Sequence, residues 1–292
     1  MTSTLRAPLL LPPPSGPDRL FRVGPLRVED SPGPDPIGRD TVVAATMVSG
    51  PWCLGPDGRP GVGALCVLLD AVLGQATIVG RPDGHWPVTT EMTVDLCGPI
   101  PGDGGEVTVR AWVVEAGDRA VLARGDVLGP RGELIGVGTE WGRFLPEVPD
   151  LDSLADPDAG TAPPDGDAAA VLGVTFPDRS SATPDGVAEQ GPTLVLPGSA
   201  ALANERDTMH GGILAAVSEL AAVAALPGPA ERPLATGSLH VTYLRPAGLD
   251  APTTVEADVV HAGRSFGVVR TDVRNAAGKL AAAATVTRRA LD

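Results

Sequence analysis

Apolar residues recur at helical spacing twice along the chain. Leu65, Leu68, Leu69, Val72, Ala76 and Val79 follow one another at intervals of mostly three and four, and so do Ile213, Leu214, Val217, Leu220, Ala221 and Ala224. Each set marks a helix. Beyond each helix the period drops to two. Met92, Val94 and Leu96 alternate with polar neighbours, as do Leu239, Val241 and Tyr243, which is the signature of a strand buried on one face. Alternating runs at 105–116, 119–128 and 133–144 predict three more strands joined by Gly-containing turns, and 252–261, 265–274 and 279–288 predict their counterparts. One long helix followed by a meander of antiparallel strands makes an α+β unit in which the helix covers a sheet face.

The two units are copies of each other. Thr89 to Pro99 lines up with Thr236 to Pro246, Thr108-Val109 with Thr254-Val255, Ala116-Gly117 with Ala262-Gly263, and Asp126 to Leu134 with Asp272 to Leu280. Matches in one order at a nearly constant offset are the mark of an internal duplication. Between the copies, 147–167 is dense in Asp, Pro, Gly and Ala without apolar periodicity and reads as a linker. The expected organisation is a poorly ordered arm over 1–20, a first domain over 21–146, that linker, and a second domain over 168–292.

At 292 residues each domain is long enough to bury its own core. A net charge of −14 argues against non-specific nucleic-acid or membrane-surface partners, which select a basic face. It leaves room for a small anionic ligand held by a few local arginines. Cys53, Cys66 and Cys97 have neither metal nor redox spacing, and His85, His240 and His261 show no ligand spacing, so no metal site is expected. The stretch Met1 to Pro14 is too short and too broken by proline for a signal peptide, and no apolar run approaches the roughly 20 residues of a membrane span. A cytoplasmic location is the expectation.

Two acids stand out against this background. Asp70 has Cys66, Val67, Leu73 and Gly74 as its helical neighbours, and Glu219 has Ala215, Ala216, Ala222 and Val223. A solvated helix face would surround an acid with polar residues; neither helix offers one, so both carboxyl groups are expected to be at least partly buried at matching places. The second helix opens on His210-Gly211-Gly212, preceded by Asn204. Glycines there let a ligand approach backbone N–H groups that lack intrahelical acceptors, and those donors can polarise a carbonyl. A tight turn capping the helix is the alternative reading.

His210-Gly211-Gly212, an acid nine residues after the histidine, and a strand ending Tyr243-Leu244-Arg245-Pro246 together resemble the PaaI-type thioesterases of the hot-dog fold, in a tandem arrangement. The resemblance covers most of the second copy and, more faintly, the first, where Gly61-Val62-Gly63 replaces the His-Gly-Gly turn. It implies two hot-dog domains, each an antiparallel sheet wrapped around one central helix. It also implies hydrolysis of an acyl thioester of coenzyme A or a related carrier, with an acid on the helix activating water or attacking the thioester. No cofactor is implied beyond the coenzyme A moiety of the substrate. A strand hydroxyl ten residues before the proline would orient the acid: Thr89 for Asp70, and Thr236 for Glu219.

Geometry constrains how these parts combine. Gly211 and Glu219 are eight residues apart, about 12 Å along a helix. A donor to the carbonyl and a base for the attacking water both lie about 3 Å from one reacting centre. One helix cannot supply both, so a composite site is expected, with each helix start facing the other copy's acid. The better-equipped site then combines Asp70 with Asn204, His210 and Gly211, with Gly212 against the substrate. The reciprocal site sets Glu219 against Gly61 to Gly63. Arg245 and Arg264, at a strand end and a turn, are candidates for coenzyme A phosphates. A hydratase or dehydratase on the same fold, or a non-catalytic acyl-CoA binding protein, are the competing functions. Two chains would pair if the remaining sheet faces or edges need cover.

Overall fold

The computed structural model describes residues 11–30, 41–102, 104–150, 160–177, 193–228 and 233–290. The first half runs α1 (Gly16–Leu20), β1 (Arg27–Asp30), β2 (Thr41–Val48), α2 (Val62–Val79), β3 (Trp86–Leu96), β4 (Glu106–Ala116), β5 (Ala120–Leu128) and β6 (Leu134–Leu145). The second runs α3 (Ala168–Leu172), β7 (Leu194–Leu196), α4 (Gly211–Ala225), β8 (Leu234–Tyr243), β9 (Thr253–Ala262), β10 (Phe266–Arg274) and β11 (Leu280–Ala290). Among the described residues all strand pairings are antiparallel, and they join into one eleven-stranded sheet of order β1-β2-β4-β5-β6-β3-β8-β11-β10-β9-β7. Read outwards from the central β3–β8 pair, the five strands β3-β6-β5-β4-β2 match β8-β11-β10-β9-β7, and β1 is an additional edge strand of the first half. Each is a sheet wrapped around one long helix, the double hot-dog architecture.

The helices are long and apolar because each is enclosed. Leu65, Leu68, Leu69, Val72 and Leu73 of α2 are fully buried against the first half of the sheet, and Ile213, Val217 and Leu220 of α4 against the second. Each large aliphatic side chain so buried stabilises the fold by roughly 1.5–3 kcal/mol. By length and composition α2 could cross a membrane, but it is the core of the first domain. The two helices also pack on each other, and glycine makes that approach close. A methyl group on Gly212 would lie 2.7 Å from the Val67 Cα and 2.8 Å from the Cys66 carbonyl oxygen. The equivalent Gly63 sits against Ala216, 3.3 Å from its Cα. Each helix start is thereby pressed onto the middle of the other helix.

The expected arm over 1–20 is too long. Residues 1–10 lie outside the described residues, but 16–20 form α1, with Ser15 and Asp18 closing a capping box at its start. Leu20 and Phe21 are buried in the core. Five helical residues are too few to show an amphipathic period, so this element left no trace in the apolar pattern. Of the expected linker, 151–159 lie outside the described residues. At its end Asp167 caps α3 by accepting a hydrogen bond from the Ala170 N–H.

Candidate functional site

Because α2 and α4 cross at their glycines, Asp70, two turns along α2 from Gly63, arrives at the start of α4. Its Oδ2 accepts a hydrogen bond from the Gly212 N–H at 2.9 Å and lies 3.0 Å from His210 Nδ1. Its Oδ1 would be 2.9 Å from a methyl group on Gly211. The carboxyl group is thus seated on the His-Gly-Gly turn of the other repeat. His210 is the N-cap of α4, its Nδ1 also 3.1 Å from the Gly212 nitrogen. The Gly212 N–H points between Asp70 Oδ2 and His210 Nδ1 and is shared by both acceptors; a ring with its hydrogen on Nδ1 would instead donate to Asp70. Gly211 is the first residue of α4, and its N–H has no acceptor within the helix. Its carbonyl oxygen accepts the Tyr243 hydroxyl at 3.0 Å.

A cavity of about 590 Å³ opens at this point, lined among others by Asp70, Gly74, Trp86, Thr89, Asn204, His210, Gly211 and Tyr243. Asn204 builds the turn before α4: its Oδ1 accepts from the Arg206 and Thr208 amides and from the Thr208 hydroxyl. Trp86 Nε1 donates to Glu205 in the same turn at 3.2 Å, tying β3 to it. Arg245 lines the cavity, whereas Arg264 lies exposed in the β9–β10 turn and does not. Arg143 and Arg206 line it as well, and neither was singled out by the sequence pattern.

Thr89 does not serve Asp70. Its hydroxyl donates instead to Glu140 Oε1 at 2.9 Å. Glu140 lies on β6 with 1% of its surface exposed, and its Oε2 is buried without a hydrogen-bond partner. Burial pushes its carboxyl well above the ordinary carboxylate range; the nearby Asp70 charge adds to this, and the Thr89 hydroxyl opposes it. Glu140 shares the inward face of β6 with Gly138, Gly142 and Phe144, so an acid at an inward strand position was the available signal for it.

The reciprocal arrangement exists too. Glu219 on α4 faces the start of α2, where a methyl group on Gly61 would lie 2.9 Å from its Oε2. Thr236 donates to Glu219 Oε1 at 2.7 Å. Burial raises the Glu219 carboxyl, with the Thr236 hydroxyl and the Arg288 charge opposing. Among the described residues no group of three or more His, Cys, Asp and Glu side chains is gathered to hold a metal.

Comparison with known proteins adds the following. Residues 207–282 match the family model described as the Thioesterase superfamily. No curated protein matches the chain significantly in sequence. Among solved structures, the tesB protein of Mycobacterium avium subspecies paratuberculosis superposes with a TM-score of 0.57 at 13% identity, covering 85% of this chain and 93% of that one. An acyl-CoA thioesterase II, TesB2, from Mycobacterium marinum gives 0.52 at 13%, covering 94% and 96%. The 12:0-ACP thioesterase from Umbellularia californica gives 0.53 at 16%, covering 86% and 94%. At such identities the likeness is one of fold.

Proposed function

From a double hot-dog chain whose second repeat matches the thioesterase superfamily, we propose a PaaI-type thioesterase that hydrolyses an acyl thioester of coenzyme A or a related carrier with Asp70 as general base. The observation that carries this reading is the Asp70 carboxyl group seated on the start of α4 at the wall of a cavity.

In this mechanism the substrate carbonyl lies at the start of α4 with its oxygen toward the Gly211 N–H. Asp70 Oδ2 is held by Gly212 and His210, which leaves Oδ1 to bind a water. Asp70 takes a proton from that water as its oxygen attacks the thioester carbon. The developing oxyanion is stabilised by the Gly211 N–H and the positive end of the helix. The C–S bond then breaks, and the proton held by Asp70 passes to the leaving sulfur, giving a carboxylic acid and a free thiol. Glu140, its carboxyl group pushed up by burial beside this carboxylate, favours its neutral form more than an exposed acid would. Its Thr89 hydrogen bond fixes β3 to β6 behind the reacting group. Arg143, Arg206 and Arg245 along the cavity suit the phosphates of coenzyme A.

The test is release of free thiol from a panel of acyl-CoA and acyl-pantetheine thioesters of graded chain length. Turnover of at least one by the wild-type chain, lost in Asp70→Asn, is the expected result. Hydration of an enoyl-CoA without thiol release would favour the hydratase reading. Binding without any turnover would favour a carrier-binding protein.

A further inference from the structure

Duplication left two composite sites; the second lacks the histidine, Gly61 standing where the first has His210, and it differs again across its strands. Each turn that leads into a helix is closed by an equivalent bridge, Leu54 to Pro60 before α2 and Ala203 to Met209 before α4. The helix starts face the opposite acids at the same closeness, 2.9 Å from a Gly61 methyl to Glu219 and from a Gly211 methyl to Asp70. The strand hydroxyls Thr89 and Thr236 occupy matching positions. Their cross-strand partners do not match. Thr89 pairs with Gly142 on β6, and Thr236 pairs with Arg288 on β11.

Arg288 is 1% exposed. Its Nη2 reaches out of the second repeat to Asp57 Oδ2 at 2.8 Å and also donates to the Leu234 carbonyl. Asp57 belongs to the turn before α2, the counterpart of the turn 204–209 that lines the cavity of the first site. The guanidinium therefore spans from strand to turn beside Glu219, at the counterpart of the turn that walls the first site's cavity. Its Nε and Nη1 are buried without hydrogen-bond partners. Donors left unpaired in this way make a buried arginine a poor choice for stability alone. What the side chain does well is fill space beside Glu219.

We propose that Arg288, clamped by Asp57, is a plug that holds shut a second acyl-thioester site built from Glu219, Thr236 and the start of α2. The ligand class rests on the thioesterase reading of the first site; the plug itself does not.

Thiol accessibility tests the plug without any thioester. In a Cys97→Ser background, which removes the exposed native thiol, Thr89→Cys and Thr236→Cys are each treated with an aromatic disulfide on the folded chain. Thr89→Cys is expected to react freely and Thr236→Cys about 100-fold more slowly, because exchange requires access. Adding Asp57→Asn with Arg288→Gly, so that the removal of the cation leaves no unpaired Asp57 charge, is expected to bring Thr236→Cys to within about ten-fold of Thr89→Cys. Equal rates with Arg288 in place would overturn the plug, and so would an unchanged slow rate after its removal from a chain that still melts cooperatively. If that variant does not fold, Arg288→Gln carries the same test: its rate is expected to rise above that with arginine, and no rise would overturn the plug. The site is tested by calorimetry with a non-hydrolysable thioether analogue of an acyl-CoA. One analogue per wild-type chain and two per unplugged chain are expected. One per unplugged chain would remove the second site, whereas none on the wild-type chain would count against the thioesterase reading and leave the thiol result to decide the plug.

Discussion

Replacing Gly211 by alanine places a methyl group 2.9 Å from Asp70 Oδ1, 3.1 Å from Oδ2 and 3.3 Å from its Cγ. Ordinary contact needs several tenths of an ångström more, and the yielding partner is the carboxyl group, the end of a side chain that can rotate. Rotation carries Oδ2 off the Gly212 N–H at 2.9 Å and His210 Nδ1 at 3.0 Å. Hydrogen bonds to a charged group contribute about 1.5–3 kcal/mol each, and a misplacement of about 1 Å in a reacting group lowers a rate about 100-fold. Loss of kcat by about two orders of magnitude is therefore expected. Stability should change little, since the rotated carboxyl group faces the cavity, where water replaces the lost hydrogen bonds, and alanine in a helix gains up to about 1 kcal/mol over glycine. Steady-state thiol release, read alongside a melting curve, separates the two effects. Full activity in Gly211→Ala, or a loss explained wholly by unfolding, would refute the placement of Asp70 on this turn.

Its neighbour should behave in the opposite way: a Gly212→Ala methyl meets the backbone of Cys66 and Val67, which cannot rotate aside, so a loss of about 1–3 kcal/mol or more in denaturant unfolding is expected. Glu140→Gln should stabilise the chain increasingly as pH rises. Burial raises the folded Glu140 carboxyl well above the ordinary value of 4.5 that it regains on unfolding, so the wild-type contribution is intact below that pH and drains away as pH rises toward the folded value. Melting temperatures of both chains at pH 5 and pH 8 check this, and a gap that fails to widen counts against a raised Glu140 carboxyl. Arg206→Gln should raise KM for a coenzyme A thioester while leaving a pantetheine thioester unaffected. Equal effects on both would separate this arginine from the phosphates.

Much of this arrangement was legible in the sequence because it is written in periods and offsets. The 3.6-residue period around Leu65–Val79, the alternation through Met92, Val94 and Leu96, and the near-constant shift between copies specify two helices and their strands. The eight-residue gap between Gly211 and Glu219 forced the crossing that brings Asp70 to Gly211. What escaped were features of single residues. Glu140 and Arg288 sit at inward positions of β6 and β11 among small or apolar neighbours, where parity alone marks them but names no partner. Thr89 was assigned to Asp70 because the strand position is right; its hydroxyl turns to Glu140, a choice set by a residue 51 positions away. The arginines at the cavity depend on where loops end, which periodicity does not encode.

The central claim is that the working acid is the one in the first repeat, completed by the turn of the second. Thiol release by Asp70→Asn compared with Glu219→Gln tests it most directly. A fall of about 100-fold or more in Asp70→Asn, with Glu219→Gln close to the wild-type rate, is the predicted result. Full turnover by Asp70→Asn, with activity lost in a folded Glu219→Gln, would contradict it.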